Sequence, residues 1–283
     1  MNNSVTRGAS GSDISSSDIL KIELDLLASF KDFCDQNGFR MWLAYGTLIG
    51  AVRHKGMIPW DDDIDVVMPN EDYFRMVDLL KEYPDSRIAP DHRFVSPSTE
   101  PLSSTIFGKL IDTRTVTAEE ALDIAGIENV QGVWIDVLPL HGVHQNRFKQ
   151  KFGFWVFQLL FLAMRLASWK PRRARTWWGR LAHAVLRTPA RAIGPEFFGR
   201  NAERFLRSWF PRFSDSELLF SDSDMSTVLR RSYFSSTTEL EFEGQQYPVP
   251  GGYREFLTDQ YGDYMTPLPP EERITHQMNA RWR

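Results

Sequence analysis

Between Trp60 and Val67 the chain reads Trp-Asp-Asp-Asp-Ile-Asp-Val-Val. Asp61, Asp63 and Asp65 stand at alternate positions, and a β-branched apolar run follows them. Side chains of a strand point to opposite faces in turn, so an extended chain here groups three carboxylates on one face and turns Ile64 and Val66 to the other. Same-face neighbours then sit about 6–7 Å apart, a spacing that suits one or two shared hard cations. Two bare charges ~5 Å apart repel by about 3 kcal/mol at an effective dielectric of 20. Three such pairs approach ~10 kcal/mol, comparable to the net stability of an ordinary domain. The cluster therefore needs a counter-cation, protons or full solvation. A solvated surface loop is the common fate of an acidic run. Here Ile58, Pro59 and Trp60 on one side and Val66, Val67 and Met68 on the other favour metal-binding strand carboxylates. An EF-hand loop is excluded, because its sixth and twelfth positions from Asp61 are Val66 and Asp72 rather than Gly and Glu.

Two further segments bear on the same chemistry. Gly132-Val-Trp-Ile-Asp136-Val-Leu-Pro139 is an apolar run with one central acid, read as a buried strand whose charge needs a partner or a metal. Upstream, Arg40 to Tyr45 reads as a short strand leading into Gly46-Thr47. Gly46 is expected to allow a sharp turn, and Thr47 to cap a short helix whose free N–H groups face a phosphate. Arg53 and Lys55 add positive charge beside the acidic run, and Lys109 and Arg114 on a β-rich hairpin over 104–118 are within plausible reach of phosphate. His54 and His276 are candidate bases, although a lone His is more often a structural hydrogen-bonder. His141 and His144 have no partner at metal-ligand spacing.

The segment Tyr45-Gly-Thr-Leu-Ile-Gly-Ala-Val-Arg-His-Lys-Gly-Met-Ile-Pro-Trp-Asp-Asp-Asp-Ile-Asp-Val-Val67 resembles the signature of the LicD family. That family includes bacterial phosphocholine transferases and is similar to the fukutin-related ribitol-phosphate transferases. The resemblance implies a nucleotidyltransferase fold, with Gly46-Thr47, Asp63-Ile-Asp65 and Asp136 in the places of its Gly-Ser/Thr turn, acidic strand and third acid. Leu257 to Pro270, with Arg273 and His276 after it, resembles the family's closing motif and implies a nucleotide-site role for Tyr261 and Asp263. The expected ligands of Mg²⁺ (or Mn²⁺) are Asp61, Asp63, Asp65 and Asp136, with Asp63, Asp65 and Asp136 catalytic. Gly46, Thr47, Arg53, Lys55 and Lys109 are expected to bind nucleotide or phosphate. The implied activity moves a phospho-alcohol group, such as phosphocholine, from a CDP-activated alcohol to a glycan or lipid-linked glycan acceptor. An Asp-x-Asp nucleotide-sugar glycosyltransferase and a non-catalytic metal-nucleotide-binding regulator at the membrane are the competing readings.

The elements that must position these residues follow from pattern and punctuation. The fold class is α/β (α+β): a nucleotidyltransferase-like mixed sheet flanked by helices, with a basic helical insert. The expected divisions are a disordered tail over 1–17, a catalytic core over 18–146, the insert over 147–212, and the rest of the catalytic domain over 213–283. A helix capped by Ser17 or Asp18 shows Leu20, Leu24, Leu27 and Cys34 at helical spacing and stops at Gly38. A second helix spans Glu71 to Tyr83, and Glu239 to Val249 reads as a hairpin turning at Glu243-Gly244.

Composition sets the outer bounds. A chain of 283 residues can bury a core without staples. Cys34 is the single cysteine, which excludes an internal disulfide and a zinc–thiolate cluster. The first residues lack a basic start followed by an apolar stretch, so no signal peptide is expected and the chain is expected in the cytoplasm. Net charge is −4, yet residues 147–212 hold fifteen Lys plus Arg against Glu196 and Glu203. Within them Phe152 to Met164 is apolar and, at thirteen residues, too short to span a bilayer. This stretch is expected either in the core or on an anionic membrane surface, with Trp169, Trp177 and Trp178 at headgroup level. No nucleic-acid partner is expected, since the apolar run is too dense for a solvated groove.

Overall fold

The computed structural model describes residues 10–61, 63–101, 103, 105–117, 131–168, 187–222, 227–269, 271, 273 and 278–283. Asp62, His276, residues 1–9 and the Trp169–Arg175–Trp178 stretch of the basic segment fall outside them.

Helix α1 (Ser16–Asn37) starts where the Ser15 hydroxyl accepts the Asp18 N–H at 3.2 Å and ends at Gly38, whose φ of 64° only glycine adopts without strain. The cap is two or three residues earlier than expected, and the buried face is rotated. Ile19, Ile22, Leu26, Leu27, Phe30, Phe33 and Cys34 face the core, whereas Leu20 and Leu24 lie at its margin. Strand β1 (Trp42–Leu43) leads into α2 (Tyr45–Arg53), then β2 (Asp65–Pro69) and α3 (Asn70–Leu80). Three strands follow: β3 (Arg87–Ala89), β4 (His92–Val95) and β5 (Gly108–Asp112). Next come β6 (Thr115–Thr117), β7 (Trp134–Gly142) and β8 (Leu218–Ser221), with β9 (Leu229–Arg230) after them.

The main sheet has eight strands in the order β1-β2-β7-β5-β4-β3, and β8 joins β7 and carries β9. Among the described residues only the β2–β7 pair is parallel, so the sheet is mixed, as expected. Its central strands carry apolar side chains with no exposure, among them Val66, Val67, Met68, Ile135, Val137 and Leu110. Helix α1 packs on β3, β5 and β7, and α3 packs on β2 and β7.

Two β expectations turn out differently. Residues 104–118 are β-rich, but β5 and β6 do not pair with each other. Strand β5 lies between β4 and β7, while β6 pairs with β12 (Ala280–Trp282) in a separate ribbon. The intervening Arg114 is held by the buried Asp112, which explains the sharp exit. Residues 10–15, expected to be part of a disordered tail, run beside β12. Gly11 donates to the Trp282 carbonyl at 2.8 Å and Ile14 to that of Ala280 at 2.9 Å. The hairpin of β10 (Thr237–Phe242) and β11 (Gln245–Pro250) forms as expected, turning on Glu243 and Gly244 at φ 49° and 77°.

The basic segment is helical where it is described. Helices α4 (Arg147–Ser168) and α5 (Pro195–Trp209) pack together, with a short helical piece at 187–193 between them. Phe157, Met164, Ala202, Leu206 and Phe210 form a second apolar cluster with Ile106 and Phe220. Helix α6 (Tyr253–Tyr261) follows the hairpin.

Candidate active site

Asp65 opens strand β2, and Asp136 is its partner in the parallel register with β7. The Asp136 N–H donates to the Ile64 carbonyl at 2.9 Å, so the two acids are fixed side by side by the backbone. Regular strand begins only at Asp65; Asp61 and Asp63 precede it without pairing, and Asp61 donates its N–H to Ile58 in a turn. The expected strand over the whole acidic run is thus too long. The alternation survives nonetheless: Asp63 and Asp65 keep partial exposure, while Ile64 and Val66 are fully buried. Asp61 and Asp136 are also partly exposed, and Asp61, Asp63 and Asp136 all lie close enough for their charges to act on Asp65.

The electrostatics of the cluster follow from this placement. Burial first, and then the charges of Asp136, Asp63 and Asp61, push the Asp65 carboxyl well above the ordinary carboxylate range. Lys109 pulls the other way. It sits opposite Asp136 in the β5–β7 register, with Nζ 3.8 Å from Asp136 Oδ1 and 3.8 Å above the Trp134 ring. Lys109 is therefore the one cation among the expected phosphate binders that reaches the central acid pair.

Gly46 and Thr47 lie at the site for reasons other than those expected. The left-handed residue is Tyr45, at φ 48°, and not Gly46. A Cβ on Gly46 would collide with Oδ2 of Asp61, so glycine here makes room for that carboxylate. Helix α2 has no side-chain cap, and its N-cap is Ala44. The Thr47 hydroxyl, 1 % exposed, instead accepts the Asp65 N–H at 2.8 Å. This bond takes up none of the helix's own N–H groups, and it anchors the first residue of the acidic strand.

Arg53 donates to the Tyr264 carbonyl at 2.9 Å and lies 5.8 Å from the Trp60 ring centroid. Arg273, from the closing motif, sits 4.0 Å from the same ring. Two guanidinium groups thus share one indole immediately before the acidic run. Burial, and then the charge of Arg273, lower the pKa of Arg53. The other candidates stand apart. Lys55 is 3.1 Å from Glu241 on the hairpin. Asp263 accepts Thr266 Oγ1 at 2.7 Å and caps a turn, which holds its carboxyl below the ordinary range. Tyr261 is exposed at the end of α6, and Arg114 is committed to Asp112. His54 receives the Arg53 Nε–H at 3.4 Å, and burial lowers its pKa.

One buried pair lay beyond sequence reasoning. His141 Nε2 stands 2.8 Å from Asp222 Oδ1, both side chains almost wholly buried. The only sequence signal is that His141 falls in an apolar strand; its partner is far along the chain.

An all-carboxylate donor set suits a hard cation. Among the described residues no group of three or more His, Cys, Asp or Glu side chains is placed to hold a metal ion, and Asp65 with Asp136 is the acid pair that the strand register fixes together. An open set is what Mg²⁺ uses when substrate phosphates complete its shell.

Residues 38–166 match the family model described as "LicD/FKTN/FKRP, nucleotidyltransferase domain". Over 260 residues the chain is 29 % identical to the lipopolysaccharide cholinephosphotransferase LicD of Haemophilus influenzae, covering 88 % of this chain and 90 % of that protein. A stretch of 58 residues, 20 % of the chain, is 36 % identical to an uncharacterised protein of Rickettsia prowazekii, covering 22 % of it. A 58-residue stretch is also 34 % identical to the mannosyltransferase regulator 4 of Saccharomyces cerevisiae, 20 % of this chain and 5 % of that one.

Proposed function

We propose that this chain, which carries a LicD-family nucleotidyltransferase domain over residues 38–166, is a phosphocholine transferase acting on a glycan or glycolipid. The donor is a CDP-activated alcohol, and the cofactor is Mg²⁺ or Mn²⁺ held by Asp65 and Asp136 with Asp61 and Asp63 alongside. The observation that carries this reading is the register pairing of Asp65 with Asp136, with Lys109 beside them. A bound cation would neutralise the donor diphosphate and the leaving CMP.

The chain's own residues supply the rest. Lys109 balances charge next to Asp136, and Arg53 with Arg273 offers a paired positive edge at Trp60 for donor phosphate. Thr47 anchors the backbone of Asp65, and Gly46 leaves room for the Asp61 carboxylate. One carboxylate of the cluster would accept the proton of the acceptor hydroxyl, and Asp136, with Lys109 beside it, is the candidate.

The test is CMP release by the purified chain from CDP-choline and other CDP-alcohols, with UDP- and GDP-sugars as competitors. CMP release that needs Mg²⁺ and vanishes in Asp65→Asn and Asp136→Asn supports the reading. Turnover of nucleotide sugars in preference to CDP-alcohols would overturn it in favour of glycosyl transfer.

A further inference from the structure

The exposed face of helix α4 is apolar along its whole length. Phe148 (78 % exposed), Phe152, Trp155 (60 %), Leu159 and Leu162 are all open to solvent. Their spacing of four, three, four and three residues keeps them within an arc of about 80° at 3.6 residues per turn. Gly153, Phe157 and Met164 lie roughly opposite and are buried, with Gly153 against Trp209 and Phe210 and Phe157 and Met164 in the second apolar cluster. The helix is therefore two-faced: one side holds the protein together, and the other is open among the described residues, apart from Phe152, whose ring lies 5.4 Å from that of Trp209.

Charge identifies the occupant. Helix α4 contains no acid, and its exposed Arg147, Lys149 and Lys151 flank the stripe, with Arg165 stacked beside Phe161 at 5.6 Å. Of the two acids in 147–212, Glu203 is buried and Glu196 is paired with Arg200 at 2.8 Å. Exposed aromatic and aliphatic side chains bordered by Lys and Arg, with no competing acid, match the interface of an anionic bilayer.

We propose that α4 docks the protein on an anionic lipid surface, lying in the plane of the headgroups with Trp155 at the centre of contact. The 22-residue helix is longer than the thirteen-residue apolar run read from sequence, and by length and composition it could cross a membrane, but its Phe157–Met164 side is already committed to the fold. Lying flat keeps that packing and immerses only the stripe. This inference is independent of the transfer chemistry.

The full-length chain is mixed with vesicles of phosphatidylcholine alone or with phosphatidylglycerol, then sedimented. Binding to the mixed vesicles should exceed binding to the neutral ones and weaken as salt rises from ~0.1 to ~1 M. Replacing Arg147, Lys149 and Lys151 with Gln should lower the affinity on the order of fivefold per charge removed. Trp155→Ser with Leu159→Ser should abolish residual binding while CMP release persists. Brominated lipids should quench wild-type tryptophan emission, a readout that needs no variant. Equal binding to both vesicles, or none to either, overturns the proposal. Concentration-dependent self-association without lipid that Trp155→Ser/Leu159→Ser removes would instead assign the stripe to a second copy of the chain.

Discussion

Thr47 accepts the backbone N–H of Asp65 through its hydroxyl at 2.8 Å, eighteen residues away. This bond ties the first turn of α2 to the strand that carries the acid. Thr47→Val leaves a buried N–H unsatisfied and should cost about 1–3 kcal/mol of stability, whereas Thr47→Ser keeps the bond. Urea unfolding of both variants checks this, and CMP release should fall more in Val than in Ser.

Asp65→Asn separates charge from shape. Its folded-state pKa lies above the unfolded value, so its contribution to stability is fully present below the ordinary carboxylate pKa. That contribution is lost as pH rises through the raised value. Without divalent cation, wild-type stability should therefore decline with pH over this window, and Asp65→Asn should decline less. Activity should drop by on the order of a hundredfold or more, the scale of losing one transition-state electrostatic partner. A variant that unfolds more readily than wild type at pH 7 in chelator would contradict the repulsion argument.

Gly46→Ala should leave the fold nearly intact, because the atom it meets belongs to the movable Asp61 side chain. Gly50→Ala meets the Gly56 carbonyl, fixed backbone, and should destabilise by about 1–3 kcal/mol. Thermal unfolding should rank Gly50→Ala well below Gly46→Ala, while activity at saturating donor should suffer in both.

Arg273→Gln removes one of the two guanidinium groups on Trp60. Less like-charge repulsion on Arg53 should leave stability unchanged or slightly improved. The donor KM should rise with kcat little changed, as expected when ground-state phosphate binding is lost. Equal KM in wild type and variant would remove the pair from the donor site.

His141→Leu strips the buried Asp222 of its partner and should cost about 3–5 kcal/mol. Burial already raises the Asp222 carboxyl, so an orphaned Asp222 should be protonated at still higher pH. The stability deficit of His141→Leu should then shrink toward acid pH, measured by unfolding across pH 4–8 (about the span from carboxylate to imidazole pKa).

The acidic cluster was legible because acids inside apolar runs are costly anywhere but at a site; Asp63, Asp65 and Asp136 announced themselves in this way. The extent of the strand was not, since alternation fixes which face a side chain takes without fixing whether its backbone finds a partner. Thr47 was found for the wrong reason: a hydroxyl near a helix start looks the same whether it caps the helix or tethers a distant strand. Lys109 and Lys55 were indistinguishable as isolated cations, and only the β5–β7 register separates them. His141 and Asp222 meet through the β7–β8 pairing, a long-range contact that no local pattern encodes.

The pairing of residues 10–15 with β12, which itself pairs with β6, has a temporal meaning. A ribosome delivers residues 280–282 some 270 positions after residues 10–15, so this small ribbon closes only once the strands of the main sheet have been made. Such distant pairing carries a large loop-closure penalty and belongs to late, slow steps of assembly. Until then α1 must rest on β3, β5 and β7 without the clasp that later secures its start. Asp65 and Asp136 are thus both synthesised before the strand that fastens residues 10–15.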